Sequence, residues 1–208
     1  GQMEIMEKEI NLDQLLQEIY TMYMEKLGED SSIVFIYEPL NSSFKGSYII
    51  SDDLRLKQVL GNLIDNAIKY TKKGRVSFGA HLDSDGFIQF FVKDTGAGIP
   101  KDKWNIIFER FMQSDEKTGR MYGGTGLGLS ICKSLVSMMG GKIWLESEVG
   151  KGTTFYFTIP YRPVMSEDNE TYEEEDFEKP DWTGNHVLVI EDDQFSRDFL
   201  TMILEKTN

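Results

Sequence analysis

The sequence predicts an α+β protein, a two-layer α/β sandwich with helices on one face of a mixed sheet. Three observations predict it. Some segments repeat apolar residues at helical spacing while others alternate them with polar ones. These segments mix without the βαβ regularity of a parallel sheet. Asp85-Gly86 between two alternating runs marks an antiparallel hairpin.

The elements follow in order. Leu12, Leu15, Leu16, Ile19, Tyr20, Tyr23 and Leu27 make one helical stripe. SIVFIYEPL (31–39) reads as a strand, and Tyr48–Ile50 as a shorter one. Ser51 is the expected N-cap of a helix, with Asp52 and Asp53 in its first turn near the positive dipole end. That helix should run to about Thr71 and stop at Lys72-Lys73-Gly74, with Leu56, Val59, Leu60, Leu63, Ile64 and Ala67 facing the sheet. Val76, Phe78, Ala80 and Leu82 alternate with polar residues as in a half-buried strand, and the return strand is Phe87–Asp94. A glycine-rich tract (119–128) opens a helix ending at Gly140-Gly141. Lys142–Glu148 and Thr153–Pro160 are the last two strands of this part.

The 208 residues carry 22 Lys+Arg against 35 Asp+Glu, a net charge of −13, which argues against a nucleic-acid partner. No apolar run approaches the ~18 residues of a membrane span, and no secretory signal opens the chain. Cys132 is the sole cysteine, so no internal disulfide forms, as suits a reducing compartment. The expected location is cytoplasmic, which a membrane anchor in a parent protein would not contradict. The charge is concentrated at 163–184, with nine acids and one lysine, a flexible linker by composition. Beyond it HVLVIEDDQFSRDFLTMILEKTN (186–208) reads as a buried strand, an acidic turn and the start of a helix.

Three constellations could carry chemistry. On the helix LRLKQVLGNLIDNAIKYT (54–71), Asn62 and Asn66 stack one turn apart and Lys69 follows. Two amides and an ammonium offer oxygen to a metal and charge to a phosphate, although spacing alone favours a solvated face. Asp94 continues the inward row Ile88, Phe90, Val92, and a carboxylate there needs a donor such as the amine of a bound base. The turn DTGAGIP (94–100) behind it lets backbone approach a ligand. In YGGTGLGLSI (122–131) a glycine loop runs into a helix start, where N–H groups and the dipole attract phosphate.

Taken in this order, these segments resemble the catalytic ATP-binding domain of bacterial sensor histidine kinases. Those kinases share an ATPase superfamily with DNA gyrase and a heat-shock chaperone, and its fold is the Bergerat type. LKQVLGNLIDNAIKYT is similar to the N box, DTGAGIP to the G1 box, FERF (108–111) to the F box and GGTGLGLSI to the G2 box. The run GGKIWLESEVGKGTTFYFTIP (140–160) is also typical. The resemblance covers about 12–160 and implies ATP and Mg²⁺ as cofactors. It gives Asn66 the Mg²⁺, and Asn62, Lys69 and Tyr70 the phosphate and sugar side. Asp94 would hold the adenine amino group, within a pocket of Gly96, Gly98, Ile99 and Thr153. Gly124, Thr125, Gly126, Leu127, Gly128 and Leu129 would close over the triphosphate, as part of a mobile lid from about Phe108. Gln113 stands where the family often has a γ-phosphate arginine, leaving Arg110 or Arg120 as replacements.

The same resemblance divides the chain. Residues 1–11 look like the end of a dimerisation helix, 12–162 like the catalytic domain, 163–184 like the linker and 185–208 like the truncated start of a response-regulator receiver. That order is the one of hybrid kinases. Glu191 and Asp192 match the receiver's Mg²⁺-binding pair, but the acceptor Asp is missing. His81 and His186 are the only histidines and neither has a phosphoacceptor's helical context. The partners implied are the histidine-containing dimerisation domain of the same protein and a receiver Asp. The fragment is expected to be a monomer and its parent a homodimer. Two alternatives stand beside the kinase: a nucleotide-binding regulatory module without transfer, and a superfamily ATPase. The latter would carry a glutamate base where Asn62 stands.

Overall fold

The computed structural model describes residues 4–28, 31–40, 48–83, 85–109 and 127–164. Their elements are β1 (Lys8–Asn11), α1 (Leu12–Leu27), β2 (Ile33–Glu38), β3 (Tyr48–Ser51), α2 (Asp53–Tyr70), β4 (Gly74–Leu82) and β5 (Phe87–Asp94). A 3-10 turn at Lys101–Lys103 precedes α3 (Gly128–Met138), β6 (Ile143–Glu148) and β7 (Gly152–Pro160). The chain divides into two units, Gly1–Val164 and Met165–Asn208, and the second lies outside the described residues.

The main sheet has the order β2-β4-β5-β7-β6. β2 runs parallel to β4 and the other neighbours are antiparallel, so the sheet is mixed, as predicted. Leu56, Val59, Leu60, Leu63, Ile64 and Ala67, the six residues expected on the inner face of α2, are its buried residues. They meet Phe78, Phe90 and Phe157 of the sheet in one core, where Phe90 stacks on Phe157 at 4.6 Å. Each such fully buried side chain contributes about 1.5–3 kcal/mol. β4 is more buried than its alternation suggested, because its outward Gly79 is covered by Phe91 and Ser77 is also buried.

Two local expectations need correction. The helical reading of residues 1–11 gives way to a strand at Lys8–Asn11, paired antiparallel with β3. Ile10 is buried there opposite Ile49, and Asn11 is extended because its side chain caps α1 by accepting from Gln14 N. The N-cap of α2 is Asp52, not Ser51, which ends β3. The Asp52 carboxylate has two oxygens to use, and it accepts from Arg55 N at 3.0 Å and from Met6 N at 2.8 Å.

β3 also gathers the other end of this unit. Ile50 N donates to Arg162 O and Val164 N to Tyr48 O, while the Arg162 guanidinium grips Glu7 with both nitrogens. Lys8 pairs with Asp53 at 2.9 Å. Residues 6–11 and 162–164 are thus fastened at the start of α2. No helix among the described residues is long and apolar enough to cross a membrane.

Candidate functional site

The alternation of β5 sets one end of the site. Ile88, Phe90 and Val92 go into the core, and Asp94 follows them inward to 6% exposure. Its Oδ1 accepts from Gly96 N at 2.7 Å and Thr153 N at 3.3 Å. No described residue donates to Oδ2. Burial pushes the Asp94 carboxyl above its ordinary value, against the two backbone donors. A buried acceptor with one unclaimed oxygen fits the exocyclic amine expected from sequence.

The turn after Asp94 is wedged in place. Ala97 N donates to Tyr70 O at the end of α2, and Gly150 N to Ala97 O. Ile99 N donates to Ser147 Oγ at 2.7 Å, and the Trp104 indole to Ile99 O at 3.0 Å. Gly98 has φ 72°, and a Cβ there would lie 2.1 Å from Glu148 O. A Cβ on Gly96 would lie 2.4 Å from Tyr70 O and 2.9 Å from the buried Thr71 Oγ1, which has no hydrogen-bond partner among the described residues. These glycines are required by chain-to-chain contact in the turn, which accounts for them without any ligand approach.

The other end of the site is the side of α2 next to the buried face. Asn62, Asn66 and Lys69 are half-buried there and Tyr70 is exposed. The Lys69 ammonium lies 5.2 Å from the centre of the Tyr70 ring. α3 starts against this stripe, since a Cβ on Gly128 would come 3.3 Å from Asn62 Oδ1. Leu127 precedes α3 as its N-cap and makes no side-chain cap bond, so the first N–H groups of the helix have no such acceptor. Cys132 also touches this corner, its Sγ 3.9 Å from Val59 O, and burial pushes its thiol up to about 12.

Asn66 has no described hydrogen-bond partner, and no group of three His, Cys, Asp or Glu among the described residues could hold a metal. A magnesium here would take one protein oxygen and fill its shell from phosphate and water. That fits its habit of travelling with a nucleotide.

The family model for histidine kinase-, DNA gyrase B- and HSP90-like ATPases matches residues 51–163, which spans both ends of this site. The chain belongs to this family. Among individual relatives, the chain is 38% identical to the aerobic respiration control sensor protein ArcB of Escherichia coli (strain K12), over 76% of this chain and 20% of that one. It is 34% identical to the sensor histidine kinase GacS of Pseudomonas protegens, over 94% of this chain and 21% of that one. The chain thus spans about a fifth of the length of these relatives. The solved structure of full-length ShkA in complex with AMPPNP superposes with a TM-score of 0.69 at 30% identity, over 80% of this chain and 33% of that one.

Within this ATPase fold the structure brings together Asp94, Gly96, Gly98, Ile99 and Thr153 at one end, and Asn62 and Gly128 at the other. Gly124, Thr125, Gly126, Arg110, Gln113 and Arg120 lie outside the described residues, with most of the expected lid. Glu191, Asp192 and His186 do as well. Phe108, where the lid was expected to begin, packs edge-on against Phe155 at 6.3 Å. Sequence reasoning missed Ser147, which bonds Ile99 N, Gly152 O and Thr153 Oγ1. Only the strand alternation around it, with Leu145 buried, could have pointed to it.

Proposed function

We propose that this chain binds Mg-ATP and donates the γ-phosphoryl group to a histidine on a dimerisation domain in a two-component phosphorelay. The observation that carries the reading is Asp94, a buried carboxylate with one oxygen unclaimed by any described residue at the wall of a prebuilt turn. An adenine 6-amino group would donate to that oxygen. Asn66 would hold the magnesium and Asn62 and Lys69 the phosphates, beside the start of α3. Magnesium supplies charge neutralisation at the phosphoryl oxygens, and the protein supplies position. ShkA, whose structure contains AMPPNP, supports nucleotide binding.

The relatives support the surrounding architecture. Residues before 12 would follow from a dimerisation helix, 163–184 would be the linker and 185–208 a receiver's first strand and helix. The similarity to GacS covers 94% of the chain and so runs past Val164. Glu191 and Asp192 would then be the receiver's metal pair. Asn62 disfavours the ATPase alternative, because an amide cannot act as base for water. A nucleotide-sensing module without transfer differs only in outcome. Incubation with γ-labelled ATP and a separate dimerisation domain decides among the three. Acid-labile label on that domain's histidine supports the kinase; vigorous phosphate release, or binding with neither, overturns it.

A further inference from the structure

Ser147 sits on β6 between three polar groups of the pocket wall. Its Oγ accepts from Ile99 N at 2.7 Å, lies 3.0 Å from Gly152 O and 2.9 Å from Thr153 Oγ1. A hydroxyl has one proton to give and two lone pairs. Gly152 O can only accept, so the Ser147 proton goes there. The Ile99 N–H takes one lone pair. The other lone pair then receives the Thr153 proton, because any other arrangement leaves two oxygens facing each other without a hydrogen. Thr153 Oγ1 is left able only to accept.

Thr153 is also the residue whose backbone N–H holds Asp94 Oδ1. Asp94 Oδ2 and Thr153 Oγ1, on residues tied together by that N–H bond, can therefore only accept. A 6-amino purine brings two N–H donors to such a wall, and a 6-oxo purine brings an acceptor that it repels. We propose that Ser147 is a positioning residue for base selection: by taking the Thr153 proton it keeps Thr153 an acceptor and so makes the pocket reject 6-oxo purines. This rests on the adenine reading of Asp94 given above. Without Ser147 the Thr153 hydroxyl can turn and donate, which welcomes a 6-oxo group.

The test is calorimetric, on the full chain with Mg-ATP and with the magnesium complex of inosine triphosphate. Ser147→Ala should lower the ratio of ATP to inosine triphosphate affinity by roughly tenfold, the effect of one misdirected hydrogen bond. Ser147→Thr keeps the hydroxyl and should restore most of the ratio. In a Thr153→Val background, Ser147→Ala should leave the ratio unchanged, since there is no rotor to direct. Weakening of both nucleotides by the same factor in Ser147→Ala means that the serine only supports the turn, and overturns the proposal. So does a ratio that Ser147→Ala changes equally with and without Thr153. Equal affinity of the unaltered chain for the two nucleotides is a separate result, which removes the adenine reading and this proposal with it.

Discussion

The two ends of the site are built in opposite ways. At the Asp94 end nearly every polar group is already engaged: backbone bonds tie the 94–100 turn to Tyr70 and Gly150, and Gly98 has no room for a side chain. At the α2 end Asn66 has no described partner and, among the described residues, Lys69 has the Tyr70 ring beside it. The first can select a ligand without moving, because its groups are held before the ligand arrives. The second is completed by whatever binds, so its side chains contribute little to folding. Substitutions should separate the two ends accordingly.

Gly98→Ala should have the largest effect. Its positive φ and a Cβ 2.1 Å from Glu148 O cost about 3 kcal/mol or more, read as a fall in thermal midpoint together with loss of nucleotide binding. If stability is unchanged, the turn is not a rigid end of the site. Asp94→Asn should split stability from function. Affinity for Mg-ATP should fall about 100-fold, as a charged acceptor is lost. The folded carboxyl titrates above its ordinary 3.8, so its contribution to stability is fully present below that value and is lost as pH rises through the folded one. At neutral pH the unliganded Asp94→Asn chain should therefore melt higher than the parent, and the parent's loss over that acidic range should disappear. Thermal scans from pH 3 to 7 check the sign.

At the α2 end, Asn66→Ala should remove the magnesium-dependent part of affinity, about tenfold, and shift stability by no more than about 0.5 kcal/mol. Binding measured with and without magnesium separates this from a general loss. Lys69→Ala should be the mildest, a few-fold in affinity that shrinks as salt rises. A large stability loss from either substitution would erase the contrast between the ends.

Legibility in the sequence follows the range of the interaction. The buried face of α2 and the inward row of β5 were readable because period and polarity are local to each segment. Asp94 was readable as a site residue for the same reason: it breaks polarity on an apolar row. β1 was not, since it exists by pairing with β3 some forty residues on, and four residues carry little periodicity of their own. Ser51 and Asp52 are both good caps, and what decides between them is the pairing of Ser51 with Lys8 and the Met6 N–H that reaches Asp52. Ser147 escaped because its partners come from the 94–100 turn and the start of β7, and no spacing rule connects them.

The fastening of both connections at the start of α2 has a mechanical consequence. Residues 6–11 and 162–164 meet at one corner, and α2 leads away from it for 18 residues. At 1.5 Å per residue its far end, with Asn66 and Tyr70, stands about 25 Å away. Six residues of α2 are buried in the core and Tyr70 O takes the Ala97 N–H, so the helix does not tilt there on its own. A strain applied where the chain enters and leaves is therefore passed along α2 as along a rod, to the end that carries Asn66 and Tyr70.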